Sequence, residues 1–204
     1  VRQPPSHRAQ QRREWARYTG RDFIGSTVAI FGTGAIGGEI AWRVEALGAH
    51  TIGVSRSGTP VEHFERVVAA PDFRTVLPDA DYVVLAMPLT EETRHMFGAE
   101  EFELMAPHAV LVNIGRGALT DEEALMVALE AEQIAGAFVD VFVEEPLPPE
   151  SPMWATKHLV VTPHTSFRSD GNSARLERDF TRNLERFIAG EPLVGTMRHP
   201  TLGY

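Results

Sequence analysis

The stretch Thr27-Val28-Ala29-Ile30-Phe31-Gly32-Thr33-Gly34-Ala35-Ile36-Gly37 limits what this chain can fold into more than any other. A short apolar run ends in Gly-x-Gly-x-x-Gly. Apolar residues at helical spacing follow, through Ile40, Ala41, Val44 and Leu47. The order is strand, tight turn, helix, and it predicts a strand over 27–31 and a helix over 35–47. In such a turn Gly32 allows the bend, Gly34 lets backbone approach a pyrophosphate, and Gly37 lets helix and strand pack closely. The N–H groups that open a helix lack intrahelical partners and attract an anion. The bland alternative is a glycine turn that binds nothing. A second apolar run at 50–54 lies where a dinucleotide fingerprint needs its next strand, which weighs against that alternative.

The rest of the chain repeats the alternation. Further strands are expected at 81–86, 109–112, 134–139 and 159–162. Helical segments are expected at 61–70, 73–77, 101–105, 122–130 (capped by Asp121) and 169–189, with another starting at the capping-box-like Thr90-Glu91-Glu92-Thr93. Gly48 and Gly190 read as helix ends. The strands lack polar alternation, the mark of an α/β fold whose mostly parallel sheet is covered on both faces. Ligands of such sheets sit at the carboxyl ends of the strands. The loops after Phe31, Val54, Ala86, Val112, Val139 and Thr162 therefore carry the interest.

Length and charge narrow the partners. The 204 residues suit one large domain, or one domain with extra segments. A formal charge of −9 disfavours nucleic acid and anionic membranes as bulk partners. The absence of cysteine excludes disulfides and thiolate chemistry and fits a reducing compartment. No apolar run is long enough to span a membrane and no signal peptide is evident, so the expected location is the cytoplasm. Residues 1–20 are polar and basic, with a helix expected over 10–18 anchored by Trp15. They have no core of their own and lie either across another domain or partner, or as a frayed tail. The chain opens on Val1 rather than Met, which fits a fragment, a processed product or part of something longer.

The loop after the second strand speaks to the cofactor. An NAD enzyme usually places an acid there, on the ribose hydroxyls. Here the place reads Ser55-Arg56-Ser57, with no acid between Gly48 and Val61. Arginine pairs with the extra phosphate of NADP and flanking hydroxyls donate to it, so NADP is preferred and NAD remains possible. The alternatives are an arginine lying in solvent, or one stacked on adenine without discriminating.

Three ionisable residues sit in strand-end loops: Arg116, Glu145 and His164. Each has an ordinary reading, as a loop brace, a surface acid and a satisfied edge histidine. Together they fit hydride transfer to a 2-keto acid. Arginine matches a carboxylate bidentately. Histidine titrates near neutrality and suits a proton donor. A glutamate beside it favours the imidazolium and fixes the ring.

The ordered set of motifs resembles the D-isomer-specific 2-hydroxyacid dehydrogenase family, and within it the glyoxylate/hydroxypyruvate reductase-like members. The matching segments are Gly32-Thr33-Gly34-Ala35-Ile36-Gly37, Met87-Pro88-Leu89-Thr90-Glu91-Glu92-Thr93, Asn113-Ile114-Gly115-Arg116-Gly117, Asp140 through Pro148, Ser151-Pro152-Met153-Trp154 and Thr162-Pro163-His164. The resemblance implies a Rossmann-type doubly wound parallel sheet. It implies that Arg116 binds the substrate carboxylate, that His164 is the acid and base, and that Glu145 hydrogen-bonds it. It places Asp140 on the nicotinamide carboxamide and Asn113, Ile114 and Gly115 near the nicotinamide. Thr33, Ala35 and Ile36 lie against the pyrophosphate, and Pro88, Leu89 and the Thr90 region, Thr93 included, line the adenosine side. Trp154 packs its loop or a dimer contact, and the family suggests a homodimer.

Family members resemble a two-domain clamshell, yet only 26 residues precede Thr27. The expectation is therefore a cofactor domain over 28–165, an interdomain crossing segment over 1–27, a returning helix and tail over 166–204, and a largely absent substrate domain. A chain lacking half the cleft is expected to bind NADPH and turn over keto acid weakly or not at all. Two other readings compete. A dinucleotide-binding module without catalysis has no chemical need of Arg116, Glu145 and His164 together. A short-chain reductase needs Tyr-x-x-x-Lys, and Lys157, the only lysine, is not at that spacing from Tyr18, Tyr82 or Tyr204.

Overall fold

Strand β1 (Thr27–Phe31) is apolar at every position after the first, and side chains on a strand alternate between faces. A strand that is apolar both ways is stable only where both faces are covered. The computed structural model, which describes residues 9, 10, 12–15, 17 and 19–195, shows that arrangement. Ala29 and Phe31 enter one cluster with Leu85, Leu111, Val139, Phe102, Leu125 and Leu129. Val28 and Ile30 enter a second, smaller one with Ala41 and Val84.

Seven parallel strands form one sheet in the order β3-β2-β1-β4-β5-β6-β7. They are β1, β2 (His50–Ser55), β3 (Arg66–Ala69), β4 (Tyr82–Leu85), β5 (Val110–Asn113), β6 (Gly136–Val139) and β7 (Leu159–Val161). The α-helices are α1 (Ala35–Ala46), α2 (Ala99–Leu104), α3 (Glu122–Glu130) and α4 (Asn172–Ile188). The chain divides into two compact units, Val1–His164 and Thr165–Tyr204. The first holds the sheet. In the second, α4 carries an apolar stripe of Leu176, Phe180, Leu184, Phe187 and Ile188, all exposed.

The α/β class and parallel sheet agree with the sequence reading, and three local expectations do not. Residues 61–70 hold no α-helix: His63 is left-handed at φ 67°, and Arg66–Ala69 adds a seventh strand beside β2. Val67 and Val68 are β-branched and pair with Gly53 and Val54, so sheet pairing outweighs weak helical spacing. Thr90 starts a turn that does not propagate. The position where a capping box needs Glu or Gln is Thr93, whose hydroxyl accepts from Thr90 N–H (2.8 Å) and donates to the Pro88 carbonyl (2.9 Å). His95, left-handed at φ 50°, ends it. Of the helix expected over 10–18, residues 12–15 are turn and irregular backbone, and Trp15 is 92% exposed rather than an anchor. Residues 11, 16 and 18 lie outside the described residues, as do 1–8 and 196–204.

Asp81, the acid immediately before β4, has a structural use. Its carboxylate accepts from Thr27 N–H (2.9 Å), Arg21 (3.0 Å) and His108 (2.9 Å), pinning the amino ends of β1 and β4 together.

Candidate active site at the carboxyl edge of the sheet

The strand ends are brought level by register. Phe31 pairs with Val54 and Leu85, Leu85 with Asn113, Asn113 with Val139, and Val139 with Val161. The next residue of each strand continues the pattern: Gly32 N–H donates to Val54 O, Ala86 to Phe31 O, Ile114 to Leu85 O, Asp140 to Asn113 O and Thr162 to Val139 O. Every loop marked in the sequence thus leaves the same edge. Between β1 and β4 the strand order reverses, which opens the crevice where such sheets take dinucleotides.

The glycine loop fits a pyrophosphate. Gly32 has φ 100°, and a Cβ on it would stand 2.8 Å from the Ala86 carbonyl oxygen. A Cβ on Gly37 would stand 1.8 Å from the Gly32 carbonyl oxygen, so α1 can meet the turn only as glycine. Gly34 faces open space and caps α1 without a side-chain hydrogen bond. The first N–H groups of α1 are left for a ligand, with Gly34, Ala35 and Ile36 exposed around them and Thr33 half-buried. Beyond β2, the Ser55 hydroxyl accepts from Gly58 N–H (3.2 Å) and the Ser57 hydroxyl meets Thr59 Oγ1 (2.7 Å). These bonds fold the loop back and leave Arg56 exposed at its tip.

The loop after β5 is wedged between two backbones. A Cβ on Gly115 would lie 2.9 Å from the Met87 carbonyl oxygen, and one on Gly117 would lie 2.0 Å from the Phe142 carbonyl carbon. Asn113 is fully buried and its amide is spent inside the loop: Nδ2 donates to Arg116 O (3.0 Å) and Oδ1 accepts from Gly115 N–H (3.1 Å). Arg116 projects from this knot, exposed, with Nη1 donating to the Gly115 carbonyl (2.7 Å) and no ion pair among the described residues. The loop-brace reading of Arg116 finds no carboxylate to support it.

The loops after β6 and β7 bring the acids and the histidine together. Asp140 is 3% exposed and accepts from the Thr162 hydroxyl at 2.5 Å. Glu145 Oε1 accepts from Phe142 N–H (2.9 Å), and Oε2 lies 2.7 Å from His164 Nδ1. Partial burial pushes the Glu145 carboxyl up. The His164 hydrogen bond, the Phe142 N–H and the charges of His164 and Arg116 outweigh that and hold it below its ordinary 4.5. Arg116, Glu145 and His164 therefore share one electrostatic neighbourhood, although they are far apart in sequence.

Residues 2–166 match the model of the D-isomer specific 2-hydroxyacid dehydrogenase NAD binding domain. The chain belongs to this family. It is 39% identical over 174 residues to a glyoxylate reductase of Thermococcus gammatolerans, covering 85% of this chain and 52% of the relative. It is 40% identical over 157 residues to a glyoxylate/hydroxypyruvate reductase B of Escherichia fergusonii, covering 74% and 48%. Among solved structures, a D-isomer specific 2-hydroxyacid dehydrogenase family protein of Aeromonas salmonicida superposes with TM-score 0.87 at 38% identity, covering 96% of this chain and 62% of that one. An NADPH-dependent glyoxylate/hydroxypyruvate reductase of Sinorhizobium meliloti, solved with NADP and sulfate, gives 0.87 at 30%, covering 98% and 64%. The chain thus spans about half the length of the curated relatives it matches.

Against this dehydrogenase frame, four contacts had no part in the sequence reading. The Thr162 hydroxyl holds Asp140, and Phe142 N–H holds Glu145. Glu122 Oε1 accepts from Val143 N–H at 2.8 Å, and Gly117 admits the Phe142 carbonyl. Thr162 and Gly117 stand inside recognisable motifs, but nothing in their spacing shows what they touch. Trp154 Nε1–H donates to the Pro148 carbonyl (2.8 Å), tying its own loop.

Proposed function

We propose that this chain supplies the cofactor site and the catalytic groups of an NADP-preferring reductase of small 2-keto acids, of the glyoxylate or hydroxypyruvate kind. The observation that carries the reading is the 2.7 Å contact of Glu145 with His164 Nδ1, within the field of Arg116. The reduced nicotinamide, when bound, supplies the hydride. Arg116 grips the substrate carboxylate with its fork. Glu145 engages Nδ1 and fixes the ring, so the proton given to the carbonyl oxygen is assigned to Nε2 of His164. In oxidation the same nitrogen takes the proton back. Asp140 accepts from the nicotinamide carboxamide. Gly32 through Gly37 hold the pyrophosphate, Pro88 and Thr93 border the adenosine, and Asn113, Ile114 and Gly115 back the nicotinamide.

The NADP preference rests on Ser55-Arg56-Ser57 and is supported by relatives solved with NADP or NADPH. The substrate class is drawn from the names of the relatives. Residues 28–165 are read as the dinucleotide-binding domain, 1–27 as a crossing segment and 166–204 as a returning helix and tail, in a cytoplasmic homodimer.

The test is NADPH oxidation with glyoxylate and with hydroxypyruvate, beside NADPH and NADH binding. Turnover is expected to fall by about 10²–10⁴ in His164→Asn, and Arg56→Asp to weaken NADPH relative to NADH. Binding without any turnover that depends on His164 returns the chain to the alternative of a non-catalytic dinucleotide-binding module or a cofactor domain that is inactive alone. Failure to bind either dinucleotide sinks both readings.

A further inference from the structure

Asp140 and His164 stand on different strand ends, and Thr162 touches both. Its hydroxyl donates to Asp140 Oδ1 at 2.5 Å, while its carbonyl accepts from His164 N–H at 3.1 Å. Its own N–H donates to Val139 O at 3.0 Å, which fixes its height against the residue just before Asp140. Asp140 N–H in turn donates to Asn113 O at 3.0 Å. The backbone of Asp140 is therefore set by β5, and one oxygen of its carboxylate is set by Thr162.

We propose that Thr162 is a positioning residue: its hydroxyl fixes the plane of the Asp140 carboxylate so that this buried acid meets the nicotinamide end of the dinucleotide in one orientation. The inference rests on the proposed cofactor role of Asp140. A carboxylate on a single sp³ carbon turns readily, because its terminal torsion is broad. An acceptor held by a hydroxyl loses that freedom before the ligand arrives, and preorganisation lowers the cost of binding. The effect is confined to the half of the dinucleotide that Asp140 faces. The glycine loop and Arg56 serve the other half.

The experiment is calorimetric titration of the whole chain with two probes, NADPH and 2′,5′-ADP, which carries the adenosine half alone. In Thr162→Val the NADPH dissociation constant is expected to rise about tenfold, while that for 2′,5′-ADP stays within about twofold. Thr162→Ser restores NADPH binding, because it returns the hydroxyl. A double-mutant cycle completes the test: in an Asp140→Asn background the penalty of Thr162→Val largely disappears. The proposal is overturned if Thr162→Val binds NADPH as the wild type does. It is overturned equally if both probes weaken together, which marks a collapsed loop, or if Ser fails to rescue. A wild-type chain that binds 2′,5′-ADP but not NADPH also overturns it. A wild-type chain that binds neither probe removes the cofactor reading itself and is recognised before any variant is made.

Discussion

The surroundings of Glu145 leave their mark on its chemistry. It accepts one hydrogen bond from Phe142 N–H and shares another with His164, and its carboxyl is held below the ordinary 4.5 despite partial burial. A carboxyl depressed on folding stabilises the fold above its unfolded pKa. That contribution is lost as pH falls through the folded value. Wild type is therefore expected to be more stable than Glu145→Gln at neutral pH, with the gap closing below about pH 4.5. Urea unfolding midpoints of both proteins across that range check it. A gap that persists to pH 2 means that the loss lies in shape and not in charge. The sequence showed Arg116, Glu145 and His164 as candidates because strand-end loops of an α/β sheet converge on one edge. It could not show that Asn113 spends its amide on its own loop, since that depends on where the chain turns after β5.

Among the elements, the loop from Asn113 to Gly117 is tightly constrained. It slides between the Met87 carbonyl and the Phe142 carbonyl, with no space for a side chain at either glycine. Gly117→Ala forces backbone apart and is expected to cost about 1–3 kcal/mol, lowering Tm by about 5 °C and moving Arg116 away from Glu145 and His164. Thermal unfolding together with keto-acid turnover checks both effects. A variant as stable and active as wild type contradicts the close packing. The strands were legible because parallel strands are apolar on both faces, and α3 was legible because Asp121 caps it, accepting from Glu123 and Ala124 N–H. Residues 61–70 misled because four residues of mixed polarity fit a helix turn as well as an edge strand. Only the vacant side of β2, a feature of the whole sheet, decides between them.

At the scale of the molecule, the sheet separates two unequal hydrophobic layers. One unites Phe31, Phe73 and Phe97 in edge-on contacts with α2 and α3 and the buried residues beneath them. The other, which holds α1, has only Val28, Ile30, Ala41, Ala49 and Val84 as buried members among the described residues. The helix that presents its N–H groups to a pyrophosphate is thus fastened by the thinner layer. Local opening free energies follow buried apolar contact, so amides of α1 are expected to exchange with deuterium faster than those of α3. NADPH is expected to slow α1 selectively, and equal exchange in both helices with no response to NADPH contradicts this. The asymmetry has a meaning for the free chain. Under the proposed function, the dinucleotide is the missing weight on the light side of the sheet. Occupancy then decides how long the protein survives proteolysis as well as what it can reduce.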